Sequence, residues 1–497
     1  MSSFKKKYFY KLTASFISLL FNFVTASFVP KQLGVVNYGN YSYLVSIFTQ
    51  IISFLEFKSS TYFYVKLSQN SKNKKLVSFY FHFVVIVFVV LFIISLILSV
   101  DFIKAYLFKE QKDIWILFAM LFAFFLWFTD VSTSFMDALG ETVLMERIKI
   151  YMKLVSLIGL SIILIANLLT VEIYFLLQIT SALLVISCMI FFLRKNTVIY
   201  IRSNRPSKKE FKEMFKSLFI YSSPLFAYMF LQVISVFSDR WILQHYSGSE
   251  AQGLFSFSFS LINVMSLFVG VLFPLIIREI SIAAGENNKL KITEIYNKFY
   301  PLIFALVAYF SVFTFVQAQN IIGIFGGEEY EKSVFSFHIL LAMPLLGVFS
   351  GLNGAIIYAT NKTKLFLKMA MFVTPIGFLL NIIMIHPAFL SLGHNGLAIK
   401  TVIIEFVSVI VISFIINKEY NISFFKIISH FLYLIPFFLA AYGVSLTIKL
   451  LGYKGILLFF ISGIGYSFII FVFFWLFSPL LGMSTDTKLI FKNLIKK

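Results

Sequence analysis

The chain has 497 residues, of which 60% are hydrophobic and 19% aromatic while only 13% are charged; it includes 65 phenylalanines and its mean hydropathy is +0.91. A soluble domain carries roughly 25% charge, so this composition needs lipid as its solvent and excludes a soluble enzyme, a disordered chain and a nucleic-acid-binding domain. The net charge of +20 then belongs to loops, where Lys and Arg set orientation across a bilayer.

A bilayer-spanning helix needs about 20 mainly apolar residues, and about fourteen such windows follow one another. They lie near 12–29, 42–63, 77–100, 114–136, 148–168, 172–193, 217–238, 253–277, 300–320, 334–358, 365–385, 396–416, 427–448 and 455–478. An even number puts both termini on one side. That side also receives the loops holding Lys72 to Lys75, Arg147 to Lys153, Arg194 to Lys216, Arg278 to Lys298, Lys362 to Lys368 and Lys418 to Lys426. About 32 of the 42 Lys and Arg fall there and about 8 on the other side, a bias that predicts cytoplasmic termini. The first window, which follows Lys5 to Lys11, has no convincing A-x-A cleavage site and is expected to be an uncleaved helix.

The fold class expected is an all-α polytopic membrane protein with two six-helix lobes and two further helices. The lobes occupy 1–193 and 217–416, joined by a basic cytoplasmic linker at 194–216, and 417–497 supplies the two extra helices and a basic tail. An internal repeat supports the lobes. Gly39-Asn40-Tyr41-Ser42-Tyr43 and Gly253-Leu254-Phe255-Ser256-Phe257 both read Gly, any, aromatic, Ser, aromatic, at the mouths of helices six apart. A weaker echo links Phe108-Lys109-Glu110 with Phe325-Gly326-Gly327-Glu328. A six-helix unit preserves topology, so the copies are related by an axis along the membrane normal.

Polar residues in apolar windows fall on single helix faces, at offsets of mostly three or four. Window one carries Ser15, Ser18, Asn22 and Thr25; window two Ser46, Thr49, Ser53, Glu56 and Ser60. Window seven carries Tyr228, Gln232, Ser235 and Asp239, and window eight Ser256, Ser260 and Asn263, with Arg278 beyond. One such stripe is what Ser and Thr do in helix packing. Four, on equivalent helices of the repeat, point to a shared polar cavity lined by Ser15, Ser18, Asn22, Thr25, Ser53, Gln232, Ser235, Ser260 and Asn263. Pro224, Pro274, Pro344 and Pro375 supply bends.

Among ionisable residues, Glu56, Asp239 and Glu405 are ion-coupling candidates, each with packing or capping as its ordinary alternative. Lys58 lies off the Glu56 stripe, where snorkelling is the ordinary role. The six histidines show no metal-ligand spacing and Gly-Lys never occurs, so neither a metal site nor a phosphate loop of the Walker type is expected, and no cofactor. Cys188 stands alone, which forbids an intrachain disulfide.

Lys31-Gln32-Leu33-Gly34 to Tyr38-Gly39-Asn40-Tyr41 resembles the signature after the first helix of Wzx-type polysaccharide flippases. Ser238-Asp239-Arg240-Trp241-Ile242-Leu243 with Gly253-Leu254-Phe255 is similar to their seventh-helix motif, and Phe325-Gly326-Gly327-Glu328-Glu329-Tyr330 to the turn after their ninth. These flippases belong to the multidrug, oligosaccharidyl-lipid and polysaccharide exporter superfamily. The resemblance implies a two-lobed transporter, not an enzyme, in the bacterial inner membrane. It would flip an undecaprenyl-diphosphate-linked oligosaccharide, O-antigen or capsule repeat unit, with membrane lipids and the pathway's polymerase and chain-length proteins as partners and no nucleic acid. It implies basic residues for the diphosphate, for which Lys31, Lys58, Arg240 and Arg278 are the candidates. Alternatives are a lipid II flippase, a multidrug or cation antiporter of the same superfamily, and more distantly a membrane glycosyltransferase or polymerase.

Overall fold

A computed structural model describes residues 3–70, 73–195, 206–270, 273–420, 422 and 430–477. These form eighteen α-helices and two short 3-10 turns, with no strand among the described residues. In chain order they are α1 Ser3–Leu33, α2 Val35–Glu56, α3 Ser59–Gln69, α4 Lys74–Leu98, α5 Asp101–Leu107, α6 Asp113–Ala138, α7 Thr142–Ile165, α8 Val171–Lys195, α9 Lys208–Gly270, α10 Phe273–Gly285, α11 Lys289–Val316, α12 Ala318–Phe325, α13 Val334–Leu340, α14 Ala342–Ala359, α15 Lys364–Ile385, α16 Gly393–Tyr420, α17 Leu434–Leu450 and α18 Gly455–Phe477. Among the described residues, each of the fourteen expected windows is mostly helical. By length and composition, ten stretches among the described residues can cross a membrane, while Leu434–Leu450 is shorter at 17 residues.

Local chemistry sets several helix starts. The Asn73 side chain accepts the Leu76 N–H at 3.0 Å to open α4, and Asn288 accepts the Lys291 N–H at 2.9 Å to open α11. Ser207 and Glu210 form a reciprocal cap at the start of α9: the Ser207 N–H donates to the carboxylate at 2.8 Å and the Glu210 N–H to the Ser207 hydroxyl at 3.3 Å.

Two expectations change. Window two is not one helix, because Phe57 (φ 51) and Lys58 (φ 56) both turn left-handed and divide it into α2 and α3. No Gly or Pro marks that break. Phe57 leaves the helix line to stack on Phe219 at 5.2 Å and to meet Phe226 at 4.3 Å, so ring packing outweighs local propensity. Second, α2 begins at Val35, so Gly39 to Tyr43 lie inside the helix rather than before it. Of the prolines expected to bend helices, Pro344 is buried in α14 and Pro375 lies inside α15. The side chains of Pro224 and Pro274, like residues 196–205 of the expected linker and the tail beyond 477, lie outside the described residues, while 206–216 of the linker run into α9 from Lys208.

The chain divides into two compact units, 1–256 with 378–394, and 257–377 with 395–497. In the first, α6 is the central helix, packed on α2, α3, α4 and α8, while α1 lies along α7. In the second, α14 packs on α10 and α11, and α11 on α17, around a core that includes Tyr296, Tyr300, Phe304, Phe349 and Tyr466.

Candidate functional site

The hydroxyls of the predicted stripes are mostly spent on their own helices. Thr25 donates to the Asn22 carbonyl at 3.0 Å, Ser53 to Thr49 at 2.8 Å and Ser260 to Phe257 at 2.8 Å, while the Ser235 carbonyl accepts from Ser238 at 2.9 Å. Such bonds are how Ser and Thr survive in an apolar helix. Ser18 is half-buried, Gln232 and Asn263 are exposed, and the Ser15 side chain lies outside the described residues.

The predicted carboxylates are all partnered. Glu56 is buried and accepts the Ser60 hydroxyl at 2.8 Å and the Trp127 indole N–H at 3.2 Å. Glu405 accepts from the Ser350 hydroxyl, and Asp239 from the Asn381 amide at 3.2 Å. Of the cations, Lys31 is exposed, Lys58 sits half-buried at the α2–α3 break, and Arg278 pairs with Glu279 at 2.7 Å in an exposed position. Arg240 is tied down: its guanidinium donates to Ser256 at 2.9 Å and Gln252 at 3.2 Å and lies 4.7 Å over the Phe255 ring.

The two glycine motifs meet in the first unit. Gly34 (φ 76, ψ 161) precedes α2, and Gly248 (φ 74, ψ −176) breaks α9 into arms over 208–247 and 249–270. This backbone region is essentially confined to glycine. Five residues after each comes the motif glycine. A methyl group on Gly39 would overlap the Ser249 carbonyl oxygen and stand 2.8 Å from the Gly253 nitrogen. One on Gly253 would overlap the Val35 carbonyl oxygen. Each helix thus receives, at its own glycine, the residue that follows the other's starting glycine, which is the reciprocity a local two-fold relation produces.

Hydrogen bonds join this crossing to the turn before α6. The Ser249 hydroxyl lies between Asn40 Oδ1 and Glu110 Oε2, 2.6 Å from the latter, and the Ser249 N–H also points at Glu110, at 3.3 Å. The Gln111 amide donates to Asn40 Oδ1, and Gln244 donates to the Ser249 hydroxyl at 2.8 Å. Asn40, Gln111, Gln244 and Ser249 are all buried. Sequence reading found the motif glycines but missed this network; carrying the repeat five residues upstream, from Gly39 to Gly34 and from Gly253 to Gly248, would have located it.

The turns of the weaker echo each receive an aromatic residue of a motif helix, at positions that the echo itself does not align. In the first unit Tyr43 packs on Phe108 at 6.0 Å and donates to the Leu107 carbonyl at 2.6 Å. In the second, Phe257 packs on Tyr330 at 4.4 Å, and a methyl on Gly326 would press on both rings.

Comparison with known proteins places this architecture. A solved structure of the lipid II flippase MurJ, in an inward closed conformation, superposes with a TM-score of 0.66 at 16% identity, covering 94% of this chain and 98% of that one. An inward-facing multidrug resistance MATE family transporter of the MOP superfamily gives 0.59 at 15% identity, covering 82% and 94%. The outward-facing conformation of a MATE family transporter gives 0.51 at 15%, covering 84% and 95%. At these identities the likeness is one of fold, and the apolar helices are those of a multi-pass membrane protein. No curated protein matches the chain. The model of the family described as polysaccharide biosynthesis protein matches residues 4–278, more than half of the sequence, and the chain belongs to that family.

Proposed function

We propose that the chain is a flippase that moves an undecaprenyl-diphosphate-linked oligosaccharide, an O-antigen or capsule repeat unit, from the cytoplasmic to the outer leaflet of the bacterial inner membrane. The observation that carries this is the match to a polysaccharide biosynthesis family on a fold similar to a lipid flippase. The termini are cytoplasmic on this reading, and the pathway's polymerase and chain-length proteins act beside it.

The physical task is to carry sugar hydroxyls and about two phosphate charges past hydrocarbon, where unpaired charge costs many kcal/mol. Two lobes, 1–193 and 217–416, alternate access to a wet interior, with 417–497 appended. Gln232 and Asn263, exposed on α9, serve the sugars there with Ser15, Ser18, Asn22, Thr25, Ser53, Ser235 and Ser260 as polar lining. Lys31 and Lys58 meet the diphosphate in preference to Arg240 and Arg278, whose guanidiniums already have partners. An inside-negative potential favours outward movement of the anion by about 2.3 kcal/mol per charge per 100 mV, so about 4.6 kcal/mol for two. Glu56, Asp239 and Glu405 are the groups through which a proton or sodium gradient would reset the carrier.

The crossing of α2 with α9 is the outer seal in this reading. It is made of glycine backbone and exchangeable hydrogen bonds, each worth about 0.5–1.5 kcal/mol net, so it can part into water at modest cost. Deletion of the chain is expected to strip polysaccharide from the cell surface and to leave lipid-linked repeat units inside, and reintroduction to restore both. Rescue of peptidoglycan synthesis instead would move the assignment to a lipid II flippase, and rescue of drug resistance alone to an antiporter.

A further inference from the structure

Six rings form an unbroken chain in the first unit. Tyr106 on α5 lies 5.3 Å from Trp241 and 5.2 Å from His245, centroid to centroid. Trp241 and His245, one turn apart on α9, stack at 5.2 Å with their planes 28° apart. His245 meets Tyr246 at 4.8 Å, Tyr246 meets His386 at 4.5 Å, and His386 meets Phe389 at 5.9 Å. Trp241, His245 and Tyr246 lie in the last two turns of α9 before Gly248, so the cluster stands beside the glycine crossing.

Two nitrogens in it are unsatisfied. Trp241 Nε1 and His245 Nδ1 are covered, yet neither has a hydrogen-bond partner among the described residues. Buried indole N–H groups ordinarily find an acceptor, and rings of a membrane-surface belt turn their polar ends toward water. This cluster does neither. Its cover is light: α5 has seven residues and none of them is buried, and Tyr106 itself is 55% exposed. The adjoining Phe102 is 86% exposed, and α5 is held by the Tyr43 bond to its Leu107 carbonyl and by the Lys104–Asp113 ion pair rather than by buried side chains.

A pyranose ring presents a flat face of C–H groups and a rim of hydroxyls. The first suits the face of an aromatic ring and the second suits ring nitrogens that lack a partner, the mixture of apolar walls and a few polar groups that small-molecule sites use. We propose that Trp241 and His245 form a shelf for one sugar ring of the exported oligosaccharide, with Tyr106 of α5 as the ring that moves to close over it. The proposal rests on the flippase reading and adds to it a sugar contact outside the predicted stripes, near the exit.

The test is equilibrium binding of two probes to the purified full chain in nanodiscs: the host strain's own undecaprenyl-diphosphate-linked oligosaccharide, and undecaprenyl diphosphate without sugar. Trp241→Phe keeps the ring and removes the N–H; it is expected to weaken binding of the first probe about fivefold, the factor one lost hydrogen bond makes, and to leave the second unchanged. Tyr106→Ala is expected to act in the same direction on the first probe alone. Unchanged binding of the sugar-bearing probe in both variants overturns the shelf, as does equal weakening for both probes, which would mean a lipid or phosphate contact or a damaged fold. A parent chain that binds neither probe defeats the flippase reading itself.

Discussion

The helix that starts after Gly34 and the arm that starts after Gly248 share a backbone plan and differ in their side chains. Both begin at a glycine with φ near +75° and extended ψ, both carry a second glycine five residues later, and both set an aromatic residue against a following turn, Tyr43 on Phe108 and Phe257 on Tyr330. Yet the residue entering Gly253 is Val35, which contributes only backbone and an apolar side chain, whereas the residue entering Gly39 is Ser249, which gathers Asn40, Glu110 and Gln244. The two segments agree where close backbone approach leaves no room for a side chain, and differ where hydrogen bonds are made.

The largest effects should come from the crossing itself. Gly39→Ala and Gly253→Ala each force backbone apart and are expected to destabilise by about 1–3 kcal/mol or more, the range for overpacked cores, in thermal unfolding of the purified chain. Gly354→Ala is the control, since a methyl there meets nothing nearer than Phe366 at 4.0 Å, and it should be neutral or slightly stabilising. Matching losses at 39 and 253 sharpen the two-fold relation; loss at one alone breaks it.

Next in size are the starting glycines. Gly34→Ala and Gly248→Ala are expected to cost about 1–3 kcal/mol each from backbone strain alone. Ser249→Ala probes the asymmetry: it strips a buried partner from Asn40 and Gln244 and is expected to cost about 1–2 kcal/mol. Hydrogen exchange should then show loosening at Asn40 and Gln111, while Val35→Thr should not produce it.

The smallest effect belongs to a surface pair. Lys75 holds the exposed Glu210 carboxyl down to about 2, well below the usual carboxylate range. Because the folded-state value is depressed, any contribution is fully present above the unfolded carboxylate range and fades as pH falls toward 2. Glu210→Gln is expected to change thermal stability little, and by less still in high salt.

Much of the fold was legible because lipid is a demanding solvent: apolar windows and the placement of Lys and Arg follow directly from it. The α2–α3 break was not, since Phe57 and Lys58 carry no turn chemistry and the rings that Phe57 meets, Phe219 and Phe226, lie far along the chain. The stripes were visible as periodicity, but periodicity cannot tell that Ser53 and Ser260 return their hydroxyls to their own backbones. Glu110 and Gln111 were hidden because they lie in a turn far along the chain from Asn40 and Ser249, and only the folded first unit brings them together.

The central claim is that this chain carries lipid-linked oligosaccharide across a bilayer, and flipping in reconstituted vesicles tests it most directly. Host lipid-linked oligosaccharide loaded in both leaflets is challenged with an impermeant glycosidase in the outer solution. The account predicts that vesicles containing the chain surrender the inner-leaflet pool and that empty vesicles retain it. Equal retention in both, with the chain folded and inserted, would contradict it.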